Sequence, residues 1–270
     1  MQTNLNDYPK LSAAEARLRR RHAGEGVERS LLVFDTPFGY RRTAELFRPE
    51  KGEGPLPLAL FLHWYEPSSP SSNRSQFVEE ALELARRGAL CLTVETMWSD
   101  PDYFTKRTQA EDMRLSLEEV VNERRGMDFL CAQPGADLSR FALVGHDFGG
   151  MYGVLAGDLD RRPTHYVIMA ATPRFPDWFL YGPPLEGEAR QAFMREFAPL
   201  DPIARVAGLA PAPLLFQFGT DDPHVPRERA EEFFEAARPP KEARYYEAGH
   251  GLNEAAREDR MEWLGRRLGI

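Results

Sequence analysis

The chain has 270 residues, enough to bury a sizeable core as one domain spanning 1–270, and its formal net charge of −8 leaves no basic footprint for nucleic acid. No run approaches the roughly 20 apolar residues that a membrane-spanning helix needs, and the polar N-terminus lacks the apolar centre of a signal peptide. Cys91 and Cys131 do not suggest a disulfide framework, so a cytoplasmic protein acting on a small molecule is expected, with its oligomeric state open.

In chain order, residues 17–22 (Arg-Leu-Arg-Arg-Arg-His) follow a helix-forming Ala-Ala-Glu-Ala and read as the exposed side of an N-terminal helix. Residues 28–34 and 40–47 read as an antiparallel pair joined by a Pro-Phe-Gly turn. Residues 56–62 form a buried apolar strand ending at His63, and 75–87 form a helix with apolar positions at Phe77, Val78, Ala81, Leu82 and Leu84. A strand at 89–94 runs into a loop through Trp98, and 110–130 is a long amphipathic helix. Strands at 140–144, 166–169, 213–219 and from 243 alternate with helices after 151, at 227–237 and at 253–268. Such alternation implies an α/β fold with a mostly parallel sheet covered by helices on both faces. Residues 172–210 interrupt it, and their cluster of Phe175, Trp178, Phe179 and Tyr181 reads as a small cap or lid.

The most informative stretch is 143–150, Leu-Val-Gly-His-Asp-Phe-Gly-Gly, which has the Gly-x-nucleophile-x-Gly form of a sharp strand-to-helix turn. Gly145 and Gly149 leave room for backbones to approach, and the reactive position carries Asp147 where such turns usually carry Ser. The alternative is a glycine-rich turn in which Asp147 merely caps the following helix. Two further residues argue for chemistry. Asp222 stands just past the strand 213–219, where open α/β sheets place their ligand and catalytic groups, and His250 stands at a glycine-flanked loop tip after the last strand. The chain order nucleophile, acid, then histidine resembles that of α/β-hydrolases. Asp221 and Asp177 are the weaker candidates for the acid.

From about Val27 to the C-terminus the chain resembles the α/β-hydrolase superfamily, through Gly-His-Asp147-Phe-Gly-Gly, Gly219-Thr-Asp-Asp222-Pro-His-Val-Pro and Ala-Gly-His250-Gly. Its layout is similar to that of dienelactone-hydrolase-like proteins. Its elbow is similar to that of epoxide hydrolases and haloalkane dehalogenases, which use Asp. The resemblance implies an α/β-hydrolase fold, no cofactor and no metal.

A carboxylate needs no activation, being ionised near neutral pH. Attack on a carboxylic ester would give an unstable anhydride, whereas attack on saturated carbon bearing a leaving group gives a stable alkyl ester. Asp147 therefore points to an epoxide, a haloalkane or a haloacid, with His250 activating water to hydrolyse the alkyl ester and Asp222 orienting the imidazole. The oxyanion of that second step needs donors: the backbone N–H of Phe148 and one from the loop after His63, either Tyr65 or Trp64. Trp98, Trp178, Tyr181 and Glu66 are candidates for the substrate pocket. His63 and His146 read as structural and His224 as a surface loop residue. The remaining readings are an ester or lactone hydrolase with Asp147 as base on water, and a non-catalytic binding or regulatory protein.

Overall fold

The computed structural model describes residues 5, 7–51 and 54–270; the rest of the 1–270 span, including the extreme N-terminus read above as lacking a signal peptide, lies outside the described residues. In chain order the described strands are β1 (Arg17–Gly24), β2 (Val27–Asp35), β3 (Arg41–Pro49), β4 (Leu56–Leu62), β5 (Leu90–Val94), β6 (Ala136–His146), β7 (His165–Met169), β8 (Leu214–Gly219) and β9 (Lys241–Tyr246). They form one sheet in the order β1-β2-β3-β5-β4-β6-β7-β8-β9. The pairings from β5 through β9 are parallel, and β1, β2, β3 and β5 pair antiparallel. The helices are α1 (Val78–Arg86), α2 (Tyr103–Lys106), α3 (Gln109–Cys131), α4 (Phe148–Leu159), α5 (Pro176–Phe179), α6 (Gly187–Phe197), α7 (Pro202–Arg205), α8 (Arg227–Ala236) and α9 (Glu254–Leu268). None of the described helices is long and apolar enough to cross a membrane.

The sheet is buried on both faces: β4, β5 and β8 are buried at every position and apolar at all but Thr93 and Gln217, as a parallel sheet requires. Along β4, Leu58, Leu60 and Leu62 pack into the cluster that holds α3 and α4, while Ala59 and Phe61 pack into the one that holds α1 and α9. Each fully buried leucine contributes about 1.5–3 kcal/mol of transfer free energy. The chain leaves β4 for β5 on one side and then places β6 on the other. This reversal opens a crevice at the C-terminal ends of β4 and β6, the position where open α/β sheets bind ligands.

Two elements differ from expectation. Residues 17–22 belong to the edge strand β1, not to a helix. Glu25 and Gly26, at φ 55° and 81°, form the two-residue turn whose backbone twist suits a hairpin, and that turn pairs Gly24 with Val27. The arginines then stand on an exposed edge, where charge discourages pairing with another chain. Helix α3 is not amphipathic in its second half, since every residue from 118 to 130 is buried. The N-terminal segment covers its outer face: Arg124 donates to the Leu5 carbonyl, Arg125 donates to that of Pro9, and Arg124 lies 4.6 Å over the Tyr8 ring. The helix expected at 75–87 opens with a turn of 3₁₀ helix at Arg74–Phe77 before α1 begins. Both cysteines are free.

Candidate active site

Strand β6 ends at His146 and α4 begins at Phe148, so the chain must reverse at Asp147, which takes φ 53° and ψ −119°. A non-glycine residue holds a positive φ only when its surroundings compel it. Here the Asp147 N–H donates to the Met169 carbonyl (2.8 Å) and the Asp147 carbonyl accepts from the Met151 N–H (3.0 Å). A Cβ on Gly149 would lie 2.2 Å from the Leu62 carbonyl oxygen, and one on Gly145 would lie 2.3 Å from that of Gly149. The glycines are what lets α4 start against the end of β4.

Although Asp147 occupies the N-cap position of α4, its carboxylate makes no cap bond. Oδ2 instead accepts from the Tyr65 N–H at 3.1 Å. Oδ1 is buried, has no hydrogen-bond partner, and faces His250 Nε2 at 3.8 Å. The capping alternative therefore does not describe this residue. His250 Nδ1–H donates to Asp222 Oδ2 at 2.8 Å, and Asp222 Oδ1 accepts the N–H groups of His224 (2.8 Å) and Val225 (3.1 Å). Asp221 is exposed, and Asp177 sits 3.5 Å from Arg229 instead. The fold thus gathers Asp147, His250 and Asp222, all buried, at one end of the crevice.

No protein-family model and no curated protein matches the chain by sequence. Solved structures do resemble it. The acetyl xylan esterase of a Paenibacillus species superposes with a TM-score of 0.77 at 19% identity, covering 94% of this chain and 88% of that one. Acetyl xylan esterase 1 of a Thermoanaerobacterium species gives 0.74 at 15% identity, with 93% and 87% covered. A Klebsiella pneumoniae protein assigned as a dienelactone hydrolase gives 0.63 at 16% identity, with 88% and 98% covered. The chain has the α/β-hydrolase fold. At these identities the likeness fixes architecture, including the dienelactone-hydrolase-like layout, and does not fix chemistry.

Within this α/β-hydrolase fold the electrostatics centre on His250. Burial works against its charge, but the flanking carboxylates Asp147 and Asp222 outweigh burial and raise its pKa to about 10. Burial likewise raises Asp222, and the bond from His250 with the two backbone N–H groups more than reverses it, leaving its pKa below the ordinary value. An elevated histidine pKa stabilises the fold fully below the unfolded value of 6.5, and that contribution is lost as pH climbs through about 10. The melting temperature should fall across this window more steeply in the wild type than in His250→Gln. Parallel melting curves for the two proteins would contradict the coupling.

A cavity of about 600 Å³ opens onto His250, walled by Tyr65 and Glu66, by Phe104 and Thr105, by Trp178 and Tyr181, and by His224. Glu66, Trp178 and Tyr181 line this cavity. Trp98 does not: its indole is fully buried, stacked on Tyr152 at 5.1 Å, and its Nε1–H donates to the His63 carbonyl. The packing of the loop after β5 against α4 draws that ring into the core. Trp64 is not an oxyanion donor, because its backbone N–H is taken by Gln76 Oε1 at 2.8 Å. Tyr65 supplies the N–H of this loop that reaches Asp147. Phe148 N–H lies in the first turn of α4, where N–H groups have no intrahelical acceptor.

His63 is structural, as expected. Its Nδ1–H donates to the Trp64 carbonyl (2.7 Å), its Nε2 meets the hydroxyls of Ser99 and Thr96 (2.8 and 2.9 Å), and burial drives its pKa down to about 3. His224 is no mere surface residue, since its ring lies 5.0 Å from that of Trp178 and 5.1 Å from that of His250. Its place two residues after Asp222 is the signal that finds it. Phe104 gives no comparable signal beyond its position after a strand end.

Proposed function

We propose that the protein is a hydrolase in which Asp147 is the nucleophile toward saturated carbon, as in opening an epoxide or displacing a halide. The observation that carries this reading is the division of labour between the two carboxylate oxygens. Oδ2 already sits on the Tyr65 N–H, while Oδ1 is free. In the first step Oδ1 bonds to the substrate carbon and the bonding pair leaves with the halide or the epoxide oxygen. The product is an ester whose carbonyl oxygen is Oδ2, pre-docked on the donor that must hold its negative charge in the second step.

The charge on His250 then does timed work. Between two carboxylates the imidazole is protonated near neutral pH. Esterification removes the charge of Asp147, and with it part of what opposed burial, so His250 gives up its proton, to the opened epoxide oxygen or, after halide displacement, to solvent, and becomes a base. Water loses a proton to Nε2 as its oxygen attacks Cγ of Asp147. The oxyanion on Oδ2 collapses as the alkyl–oxygen leaving group takes the proton from His250. The second proton of the water then passes from the new carboxyl group to Nε2, which restores the carboxylate with one oxygen from water and the protonated imidazole of the resting site. Residues 172–210 act as a small cap in this reading, contributing Trp178 and Tyr181 to the cavity. The indole N–H of Trp178, buried and without a partner beside His250, is placed to face a departing anion.

The second reading, an ester or lactone hydrolase with Asp147 as base on water, is favoured by the esterases among the fold neighbours. It meets a physical difficulty. The Tyr65 N–H that would stabilise a substrate oxyanion is occupied by Asp147 itself. A non-catalytic role leaves the bonded pair of His250 and Asp222, and the open Nε2, without purpose. The deciding experiment incubates His250→Gln with n-butyl bromide, bromoacetate and styrene oxide and measures intact mass and peptide maps. A mass increase of one substrate residue localised to Asp147 is expected. Turnover of a probe by wild type with no adduct in the variant would exclude the covalent route.

A further inference from the structure

The catalytic loops are joined by a chain of hydrogen bonds that the proposed chemistry does not use. The Trp64 N–H donates to Gln76 Oε1 (2.8 Å), Gln76 Nε2 meets His146 Nδ1 (2.6 Å), and His146 Nε2 meets the His250 carbonyl oxygen (2.9 Å). The protons on this chain have only one arrangement. A backbone N–H at one end can only donate and a carbonyl at the other can only accept. His146 therefore carries its proton on Nε2 and accepts at Nδ1, and the Gln76 amide turns its NH₂ to the ring and its oxygen to Trp64.

We propose that Gln76 and His146 are positioning residues that hold the oxyanion donor and the general base in register with the nucleophile. Trp64 and Tyr65 are consecutive, so fixing the Trp64 N–H sets the plane of the loop that aims the Tyr65 N–H at Asp147 Oδ2. The His250 carbonyl belongs to the residue whose ring must face Oδ1. His146 immediately precedes Asp147 and ties the two loops to the elbow itself. Gln76 is rigidly presented, on the 3₁₀ turn Arg74–Phe77 whose N-cap Asn73 accepts from the Ser75 N–H. Ring packing locks the same parts: Trp64 stacks on His146 at 4.9 Å and on His250 at 6.3 Å, with interplanar angles of 22° and 18°. Burial keeps His146 neutral by holding its pKa well below the ordinary value, so the bond from Gln76 is not replaced by a second proton on the ring.

This inference rests on the covalent reading for its kinetic form. The oxyanion donor is needed when the ester breaks down and not when it forms, so loosening the clasp should separate the two steps. Gln76→Leu removes both bonds. With whichever of n-butyl bromide, bromoacetate or styrene oxide the wild type turns over, it should slow breakdown of the Asp147 ester by roughly 10- to 100-fold and its formation by less than about threefold. The adduct then accumulates in an enzyme whose His250 is intact. Gln76→Glu, which keeps an acceptor for Trp64 and loses the donor to His146, should recover only the part of the breakdown rate that depends on the Trp64 N–H. Equal slowing of both steps, or no slowing, in the folded variants would overturn the proposal.

A second readout needs no substrate. Nitrogen NMR of wild type should find His146 protonated at Nε2 and bare at Nδ1, with the Nε2–H resonance shifted or broadened in Gln76→Leu; a proton on Nδ1 in wild type would overturn the clasp. Absence of any adduct in His250→Gln, together with the expected His146 spectrum, would instead remove the covalent reading and leave the clasp standing.

Discussion

With Asp147 as the proposed nucleophile, its exchange for Asn is expected to lower kcat on every substrate that the wild type turns over by about 10⁴-fold or more, with little change in melting temperature at neutral pH beyond the loss of one ionic partner for His250. The substitution is close to isosteric, and Asn, like Asp, is among the non-glycine residues most often found at positive φ, so the elbow at φ 53° survives. Its amide oxygen can still accept from the Tyr65 N–H. What it cannot supply is a nucleophilic oxygen at the Oδ1 position, and no neighbouring group replaces it: Asp222 is held by His250 and two backbone N–H groups. The exchange also removes one of the two carboxylates that raise the His250 pKa to about 10, so the imidazole should titrate at a lower pH. Measured together, turnover and the His250 titration distinguish loss of the nucleophile from collapse of the site. Retention of kcat to within tenfold in a variant with a lowered His250 pKa would sink the assignment of Asp147.

The sequence makes the centre of the sheet legible because burial there is total. β4, the second half of β6, and β8 apart from Gln217 are apolar runs with abrupt polar ends, and two of the candidate residues, Asp147 and Asp222, stand just past those ends. Asp147 and Asp222 are readable for the same reason, each being a carboxylate placed just past a buried strand, whereas His250 is readable from its glycine-flanked loop after the half-buried β9. The edge is not legible in this way. β1 is exposed along almost its whole length, so no apolar alternation marks it, and only the Glu25-Gly26 turn betrays the hairpin. Trp98 misleads because an aromatic residue after a strand end can face either the crevice or the core, and contact with Tyr152 and Phe148, distant in sequence, decides it. Gln76 lies further out of reach. Its importance comes from bridging Trp64 and His146, which a linear motif does not juxtapose.

Gly149→Ala should be, with Gly145→Ala, among the most damaging single methyl additions within the described residues. The added Cβ would stand 2.2 Å from the oxygen and 2.5 Å from the carbon of the Leu62 carbonyl, and 2.8 Å from the His63 oxygen. All three are backbone atoms at the end of a buried strand, so relief cannot come from rotating a side chain. Overpacking by a methyl group costs about 1–3 kcal/mol when side chains can yield, and the upper end or more is expected here. For a chain of this size that corresponds to a fall in melting temperature of roughly 10 °C. Gly126→Ala provides the contrast: it lies within α3, its Cβ would meet only side-chain carbons at 3.6 and 3.9 Å, and it should be neutral or slightly stabilising. The difference matters for function because the contact of Gly149 with Leu62 and His63 brings the start of α4 against the loop that carries Tyr65. A folded Gly149→Ala protein must move that loop, lengthening the 3.1 Å bond from the Tyr65 N–H to Asp147, and should lose activity out of proportion to its lost stability. Thermal melts of the two alanine variants that coincide with wild type would mean that the elbow is not the close backbone contact on which both the fold and the site depend.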